Sequence, residues 1–283
     1  IDPGLILQLI EDEKIKSSLF VPAVILFLIS HPNSITTDFS SLEFVVYGAS
    51  PIAESTIVKA REIMKCDLYQ VYGLTETTGA ITIMMPDDHN PERGKLRSCG
   101  KALKGVELKI IDDDGNDLET GEIGEVISKS KLNMKGYWNK PDATKESIVD
   151  GWFYSGDAGF FDKEGFLFIH DRVKDMIVSG GENIYPAEVE NALMSHDEIL
   201  DAAVVGVPDE KWGESVKGFV VVGESSLSEE EIISYTRTQI AAYKCPKSIE
   251  FIKELPRNPS GKILRRELRD PYWEGIDRKV SGN

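Results

Sequence analysis

Two short apolar runs, each closed by a glycine, constrain this chain more than any other feature. Leu42-Glu43-Phe44-Val45-Val46-Tyr47 ends at Gly48, and Leu68-Tyr69-Gln70-Val71-Tyr72 ends at Gly73. Runs of this length read as buried strands. Between them, residues 51–64 place Ile52, Ile57, Val58 and Ile63 at helical spacing. Strand, turn, helix and second strand form the unit from which parallel sheets are built. In such sheets ligands sit at the carboxyl ends of the strands, where Gly48 and Gly73 stand. Upstream, Leu5, Ile6, Leu9 and Ile10 give residues 5–16 helical spacing. The longest apolar run, 19–29, is interrupted by Pro22 and is shorter than the roughly 20 residues a bilayer requires. It reads as a buried helix or the wall of a pocket.

From about Lys95 the pattern changes. Residues 106–111 alternate, Asp114-Gly115 turns, and 123–128 returns, as in a hairpin. Asp112, Asp114 and Asn116 resemble the start of a calcium loop, but Asp117 stands where that loop needs glycine and Ile123 where it needs glutamate. The hairpin turn is the better reading. Beyond Arg172 the pattern is mixed. Pro186 opens a helix with acids in its first turns, residues 202–207 and 216–222 read as strands, and Ser228 with Glu231 forms a capping box for a helix running toward Ala242. Residues 249–252 read as a strand and 263–269 as a short basic helix. The expected class is therefore α/β and α+β. A partial α/β subdomain with a parallel sheet (1–94) and a small β-rich subdomain (95–172) make up one domain, 1–172. A compact α+β domain, 173–283, follows.

Composition narrows the function. At 283 residues the chain suits about two domains. Forty-eight acidic residues against 32 basic leave a net charge of −16, which argues against nucleic acid as a partner. Cys66, Cys99 and Cys245 are scattered and never spaced as a metal or redox pair, so they read as free thiols in a reducing compartment, and the expected location is cytoplasmic. His31, His89, His170 and His196 are equally dispersed. No basic leader precedes an apolar core. No transmembrane segment is expected, which leaves room for peripheral membrane contact. The chain opens at Ile1 in mid-pattern, from which an absent N-terminal portion is expected.

Four stretches carry chemistry. Tyr72-Gly73-Leu74-Thr75-Glu76-Thr77-Thr78-Gly79 follows a strand. Its glycine lets backbone approach a ligand, Thr75 offers a hydroxyl to phosphate, Glu76 suits a hard cation such as Mg2+, and Tyr72 suits a base; the bland alternative is a polar loop. Tyr154-Ser155-Gly156-Asp157-Ala158-Gly159 reads as a glycine-rich turn whose aspartate can accept two ribose hydroxyls, or as an ordinary β-turn. Arg172-Val173-Lys174-Asp175 precedes Gly180-Gly181-Glu182 and Pro186, a loop that leads to a helix. Pro256-Arg257-Asn258-Pro259-Ser260-Gly261-Lys262 presents a lysine on a face expected to be rich in Arg265 and Arg266, suited to an anionic transition state. It is not a Walker loop, because Pro256 replaces the first glycine and Ile263 follows the lysine.

Together and in this order, the four stretches resemble the acyl/aryl-CoA synthetase, adenylation-domain and luciferase superfamily, and within it the fatty-acyl-CoA synthetases. The resemblance runs from near residue 1 to Pro271-Tyr272-Trp273. It implies that Gly48, Ala49 and Ser50 border adenine, that Tyr72 and Gly73 flank it, and that Thr75 and Glu76 contact phosphate and Mg2+. Asp157 and Arg172 would hold the ribose, Lys174 would be the hinge, and Lys262 the adenylation lysine. Gly180, Gly181 and Glu182 would line the pantetheine channel. Short-chain members carry tryptophan at the position of Gly73, which implies a pocket open to medium or long chains.

The implied activity is ATP-dependent ligation of a fatty acid to coenzyme A through an acyl-adenylate, with ATP/AMP and Mg2+ as cofactors. The alternatives are another adenylating enzyme, such as an aryl-CoA or carrier-protein ligase, and a non-catalytic nucleotide-binding fragment. The family's upstream phosphate loop is not among these residues, so the chain alone is expected to be silent and prone to association, with residues from about 173 onward folding alone.

Overall fold

The computed structural model describes residues 1–223, 227–258 and 261–275. The chain divides into two compact units. The first comprises Ile1–Ser155 with Gly159–Ile169, and the second Gly156–Ala158 with His170–Asn283.

The first unit opens with helix α1 (Pro3–Asp12), capped by Asp2, whose side chain accepts from the Leu5 amide. Strand β1 (Ser17–Phe20) and helix α2 (Pro22–Ser30) follow. The apolar run read as a buried helix or a pocket wall is divided at Pro22 into a strand and a helix. Proline fits the first helical position but has no N–H for a ladder, so the strand ends before it. Next come β2 (Phe44–Gly48), α3 (Glu54–Met64), β3 (Asp67–Leu74), β4 (Gly79–Met84) and β5 (Lys101–Ala102). Their sheet has the order β1-β2-β3-β4-β5. β1, β2 and β3 are parallel, with Tyr47 opposite Gln70, and β4 and β5 are antiparallel additions. Leu7, Ile25, Leu28, Tyr47, Ile57 and Met64 form the core beneath it.

The β-rich part contains β6 (Glu107–Ile111), β7 (Gly124–Lys129), helix α4 (Pro141–Ser147), β8 (Ile148–Val149), β9 (Trp152–Phe161) and β10 (Leu167–Arg172). The sheet runs β10-β9-β7-β6, with β8 on β9. Asp112 builds the β6–β7 connection as an Asx turn, accepting from the Asp114 and Asn116 amides at 3.0 and 2.8 Å. The stretch 154–159, read as a turn, lies inside strand β9. Gly159 serves close approach, since a Cβ there would lie 2.5 Å from the Phe168 carbonyl oxygen, whereas Gly156 has open space and takes φ +69.

The second unit contains β11 (Ile177–Ser179), β12 (Glu182–Ile184), α5 (Pro186–Met194), β13 (Ile199–Asp209), β14 (Gly213–Val222), α6 (Glu229–Gln239), β15 (Ser248–Phe251) and α7 (Arg265–Arg269). The sheet order is β12-β11-β14-β13, with β15 parallel to β14. Both faces are covered, so β13 is a near-continuous apolar run. Ala202 and Val204 join Val189, Leu193 and Ile232 of α5 and α6 on one side, and Ala203 and Val205 meet Phe219, Leu255 and Leu268 on the other. The capping box is formed, with Ser228 N donating to Glu231 at 2.9 Å and Glu231 N to Ser228 Oγ at 3.3 Å.

Candidate functional site

In the first unit, the candidate residues gather at the carboxyl ends of β2 and β3. Gly48 closes β2 where a Cβ would lie 2.2 Å from the Val71 carbonyl oxygen, so only glycine lets the strands approach this closely. Ala49 follows with φ +71, a left-handed conformation that is costly for a residue with a side chain; Ser50 is half-buried. β3 continues through Gly73 to Leu74, with a register shift between Tyr72 and Gly73. A Cβ on Gly73 would meet the Gly79 carbonyl oxygen at 1.8 Å. The β3–β4 backbone thus demands glycine at this position. Tyr72 is half-buried against Cys99, Ile110, Val126 and Leu167.

Thr75, Glu76 and Thr77 form a single 3-10 turn after β3. Thr77 is buried; its hydroxyl accepts from the Leu74 amide at 2.9 Å and lies 2.7 Å from the Gly79 carbonyl oxygen. Glu76 is anchored twice, by the Met134 amide on its carbonyl at 2.6 Å and by the Tyr137 hydroxyl on Oε1 at 2.8 Å. Its second carboxylate oxygen has no protein partner among the described residues. Thr75 is exposed beside it. No cluster of three or more His, Cys, Asp or Glu able to hold a metal exists among the described residues. One half-buried carboxylate with a free oxygen fits Mg2+, which is commonly held by one or two carboxylates plus substrate phosphates.

In the second unit, Asp157 on β9 and Arg172 at the end of β10 form an ion pair, Nε to Oδ1 2.7 Å, with the aspartate buried. The Lys262 turn is built by reciprocal bonds to Asn258. The Lys262 amide donates to Asn258 Oδ1, and the Asn258 amide donates to the Lys262 carbonyl, each at 2.9 Å. Arg257 clamps this turn, reaching the Gly261 carbonyl at 2.6 Å and Asp201 at 2.7 Å. Pro259 and Ser260, part of the stretch singled out in the sequence, lie outside the described residues. The Lys262 side chain is exposed, yet desolvation by its surroundings holds its ammonium below the usual lysine range. Arg172 pushes the same way and Asp157 opposes. Three residues from distant parts of the chain thus share one electrostatic neighbourhood.

The basic face expected around Lys262 includes Arg265, whose charge also holds the Lys262 ammonium down. Arg265 is committed to a buried network, with Nη2 to Glu190 Oε2 at 2.6 Å and Nη1 to Asp171 at 3.6 Å. Burial pushes both carboxyls up, and Arg265 opposes this. Asp171 also accepts from the Ala187 amide at 2.9 Å, capping the start of α5 across the chain. Arg266 is exposed and lies 3.7 Å from Asp270. Lys174 is exposed on the 3-10 turn Val173–Asp175, whose Asp175 is held by Arg269 at 3.2 Å. Gly180 and Gly181 form the two-residue tip between β11 and β12, with φ +63 and +88. This is a hairpin turn that glycine favours. A Cβ at Gly180 would meet the Trp212 ring at 2.6 Å, whereas Gly181 faces open space and Glu182 is exposed.

A family model described as AMP-binding enzyme matches residues 1–138, and one described as AMP-binding enzyme C-terminal domain matches residues 188–262. The chain belongs to the AMP-binding enzymes. Among its relatives, the fatty acid–acyl-carrier-protein ligase ScoC of Streptomyces coeruleorubidus is 42% identical over 275 residues, 97% of this chain and 53% of ScoC. The long-chain-fatty-acid–CoA ligase FadD13 of Mycobacterium tuberculosis is 39% identical over 265 residues, 94% of this chain and 52% of FadD13. The solved structure of the amide bond synthetase McbA from Marinactinospora thermotolerans superposes with a TM-score of 0.89 at 36% identity, covering 96% of this chain and 56% of McbA. The chain spans about half the length of the curated relatives it matches.

Within this AMP-binding chain, sequence reasoning missed Thr77, Tyr137, Asp171 and Glu190. Thr77 lay inside a noted motif, and its buried hydroxyl is what shapes the Glu76 turn. Tyr137 and Glu190 find their partners 61 and 75 residues away, a pairing that no local pattern encodes.

Proposed function

We propose that this chain supplies the nucleotide-facing strand ends and the lysine-bearing domain of an ATP-dependent acid–thiol ligase, with a medium- or long-chain fatty acid as the acid. The meeting of Asp157, Arg172 and Lys262 in one unit carries this reading. The names of ScoC and FadD13 support a fatty acid, and McbA marks how far the acceptor varies between relatives.

A carboxylate oxygen is a poor leaving group, so the acid needs activation. In the first step the carboxylate attacks the α-phosphorus of ATP; the new O–P bond forms as the bond to pyrophosphate breaks. Negative charges converge, and pre-placed cations lower that barrier. Lys262 supplies one, and Mg2+ held at Glu76 would neutralise phosphate charge. Asp157 accepts from the ribose hydroxyls, with Arg172 fixing its carboxylate. In the second step a thiolate attacks the acyl carbon and AMP leaves. The hairpin tip at Gly180-Gly181 offers little bulk beside a slim pantetheine arm, with Lys174 as the pivot that brings it into place.

The test is carboxylate-dependent pyrophosphate release by the natural protein, across acetate, medium- and long-chain fatty acids and aryl acids, followed by addition of CoA or a pantetheinylated carrier protein. Release with medium or long chains and thioester formation on CoA are expected. Preference for acetate or aryl acids removes the fatty-acid assignment, and silence with every acid removes the ligase. Thioester on the carrier protein alone would move the acceptor toward the ScoC type.

A further inference from the structure

We propose that His89 is a positioning residue for the nucleotide, because it grips both sides of the loop 49–53 that joins β2 to α3. This inference rests on the nucleotide-facing reading of the β2 end. Tyr47 stands just before the loop, and Arg61 lies in the last turn of the helix after it. The Tyr47 hydroxyl is 3.0 Å from His89 Nε2, and Arg61 Nη1 donates to the His89 carbonyl at 2.6 Å. One residue, 42 positions downstream of Tyr47, thus ties the strand to the helix. All of these contacts lie inside the first unit. Within the loop, Ala49 holds φ +71, and Gly48 before it is packed on the Val71 carbonyl. A residue with a side chain keeps such a backbone only where its surroundings impose it.

Chemistry fixes how the ring is used. Tyr47 and His89 are both fully buried. His89 Nδ1 lies 2.9 Å from the Met85 carbonyl oxygen, which can only accept. Nδ1 therefore carries the ring proton, and Nε2 is an acceptor that the Tyr47 hydroxyl fills. Burial holds the imidazole below the usual histidine range; Arg61 pushes the same way, and Met85 and Asp88 oppose. The neutral ring is the form that can accept from Tyr47. Gln70, opposite Tyr47 in the β2–β3 register, has its side-chain oxygen 3.3 Å from the same hydroxyl and its side-chain nitrogen 3.9 Å from Cys99 Sγ. A buried hydrogen-bonded chain thus runs beneath the carboxyl ends of β2 and β3, from Met85 to Cys99. Cutting it at Tyr47 or His89 leaves the loop free to relax, so that ordering it again weakens nucleotide binding. Contacts to the base end are made equally in the ground state and the transition state, so KM for ATP moves and kcat does not.

The experiment uses the natural protein. AMP binding is measured by calorimetry, and kcat with the KM of ATP and of the acid by pyrophosphate release. Tyr47→Phe keeps the ring and removes only the hydroxyl. It should weaken AMP binding and raise the KM of ATP about tenfold, the size of one stranded buried acceptor. The kcat and the KM of the acid should stay within about twofold. His89→Leu should act in the same direction. His89→Gln, whose amide oxygen can accept from Tyr47, should recover most of the affinity. Arg61→Gln should raise the KM of ATP about two- to threefold. A purely structural contribution would lower the active fraction, and with it the apparent kcat, at unmoved KM; that result would overturn the proposal. Unchanged AMP affinity in Tyr47→Phe and His89→Leu, with the parent binding AMP, would overturn the role of His89 alone. A parent that binds neither AMP nor ATP would overturn it together with the nucleotide-facing reading.

Discussion

The two units of the chain solve the problem of covering a sheet differently. In the second unit both faces of the β13–β14 hairpin are buried, by α5 and α6 on one side and by Leu255 and Leu268 on the other. In the first unit, β1 ends the sheet with no further strand paired to it among the described residues, and Leu19 on it is 70% exposed. Leu5 and Leu9 of α1 and Leu26 and Phe27 of α2 are exposed as well. The edge strand and the helices before and after it therefore all present apolar surface, a combination that favours association. Helix α2 is apolar on every side, and such a helix is at home only when surrounded. The second unit buries its central hairpin on both faces, and the first exposes apolar side chains on its edge strand and on the two helices that flank it in sequence.

Cutting the chain gives the largest expected effect. A fragment of residues 170–283 should be monomeric and melt cooperatively by circular dichroism and size-exclusion chromatography, whereas 1–169 should aggregate. A start at 173 should be less stable by about 1–3 kcal/mol, because it deletes Asp171, which caps α5 and partners Arg265. Clean monomer from 1–169 together with aggregation of 170–283 would reverse the comparison.

The next effect is smaller and sits inside the second unit. Arg265→Ala should cost about 3–5 kcal/mol in denaturant melts, because it strands the buried carboxylate of Asp171 and the mostly covered one of Glu190. Adding Glu190→Leu and Asp171→Asn should recover part of the loss. By contrast, Arg97→Ala in the first unit breaks a well-exposed pair with Glu54 and should cost no more than about 1 kcal/mol. Equal costs for the two arginines would mean that the buried network contributes no more than a surface pair.

What could be read from the sequence follows the same physical division. The parallel unit β2-α3-β3 was legible because its strands are short apolar runs and its helix has a 3.6-residue period. Ser228 and Glu231 were legible because a capping box is local. Strand β9 was hidden by Gly156 and Gly159, which look like turn residues until the Phe168 carbonyl is seen against Gly159. Strands β11 and β12 have three residues each, too few for a period to register, so the Gly180-Gly181 tip read as a loop. The pairing of Arg265 with Glu190 was not legible, because nothing near Arg265 in the sequence announces that partner. The candidate motifs were visible as strings of residues; the anchors behind them, Tyr137 for Glu76 and Asn258 with Arg257 for Lys262, depend on contacts the fold creates.

We propose that Lys262 serves the first half-reaction and is dispensable in the second. Its place on a turn of the second unit, within the field of Arg172 and Asp157, supports the role in the first step. The direct test is Lys262→Ala in the natural protein, with the half-reactions assayed separately. Pyrophosphate release should fall about 10²–10³-fold, as for the loss of one preorganised donor, while thioester formation from supplied acyl-adenylate should stay near the parent rate. Equal loss in both half-reactions, or no loss in the first, would contradict the account.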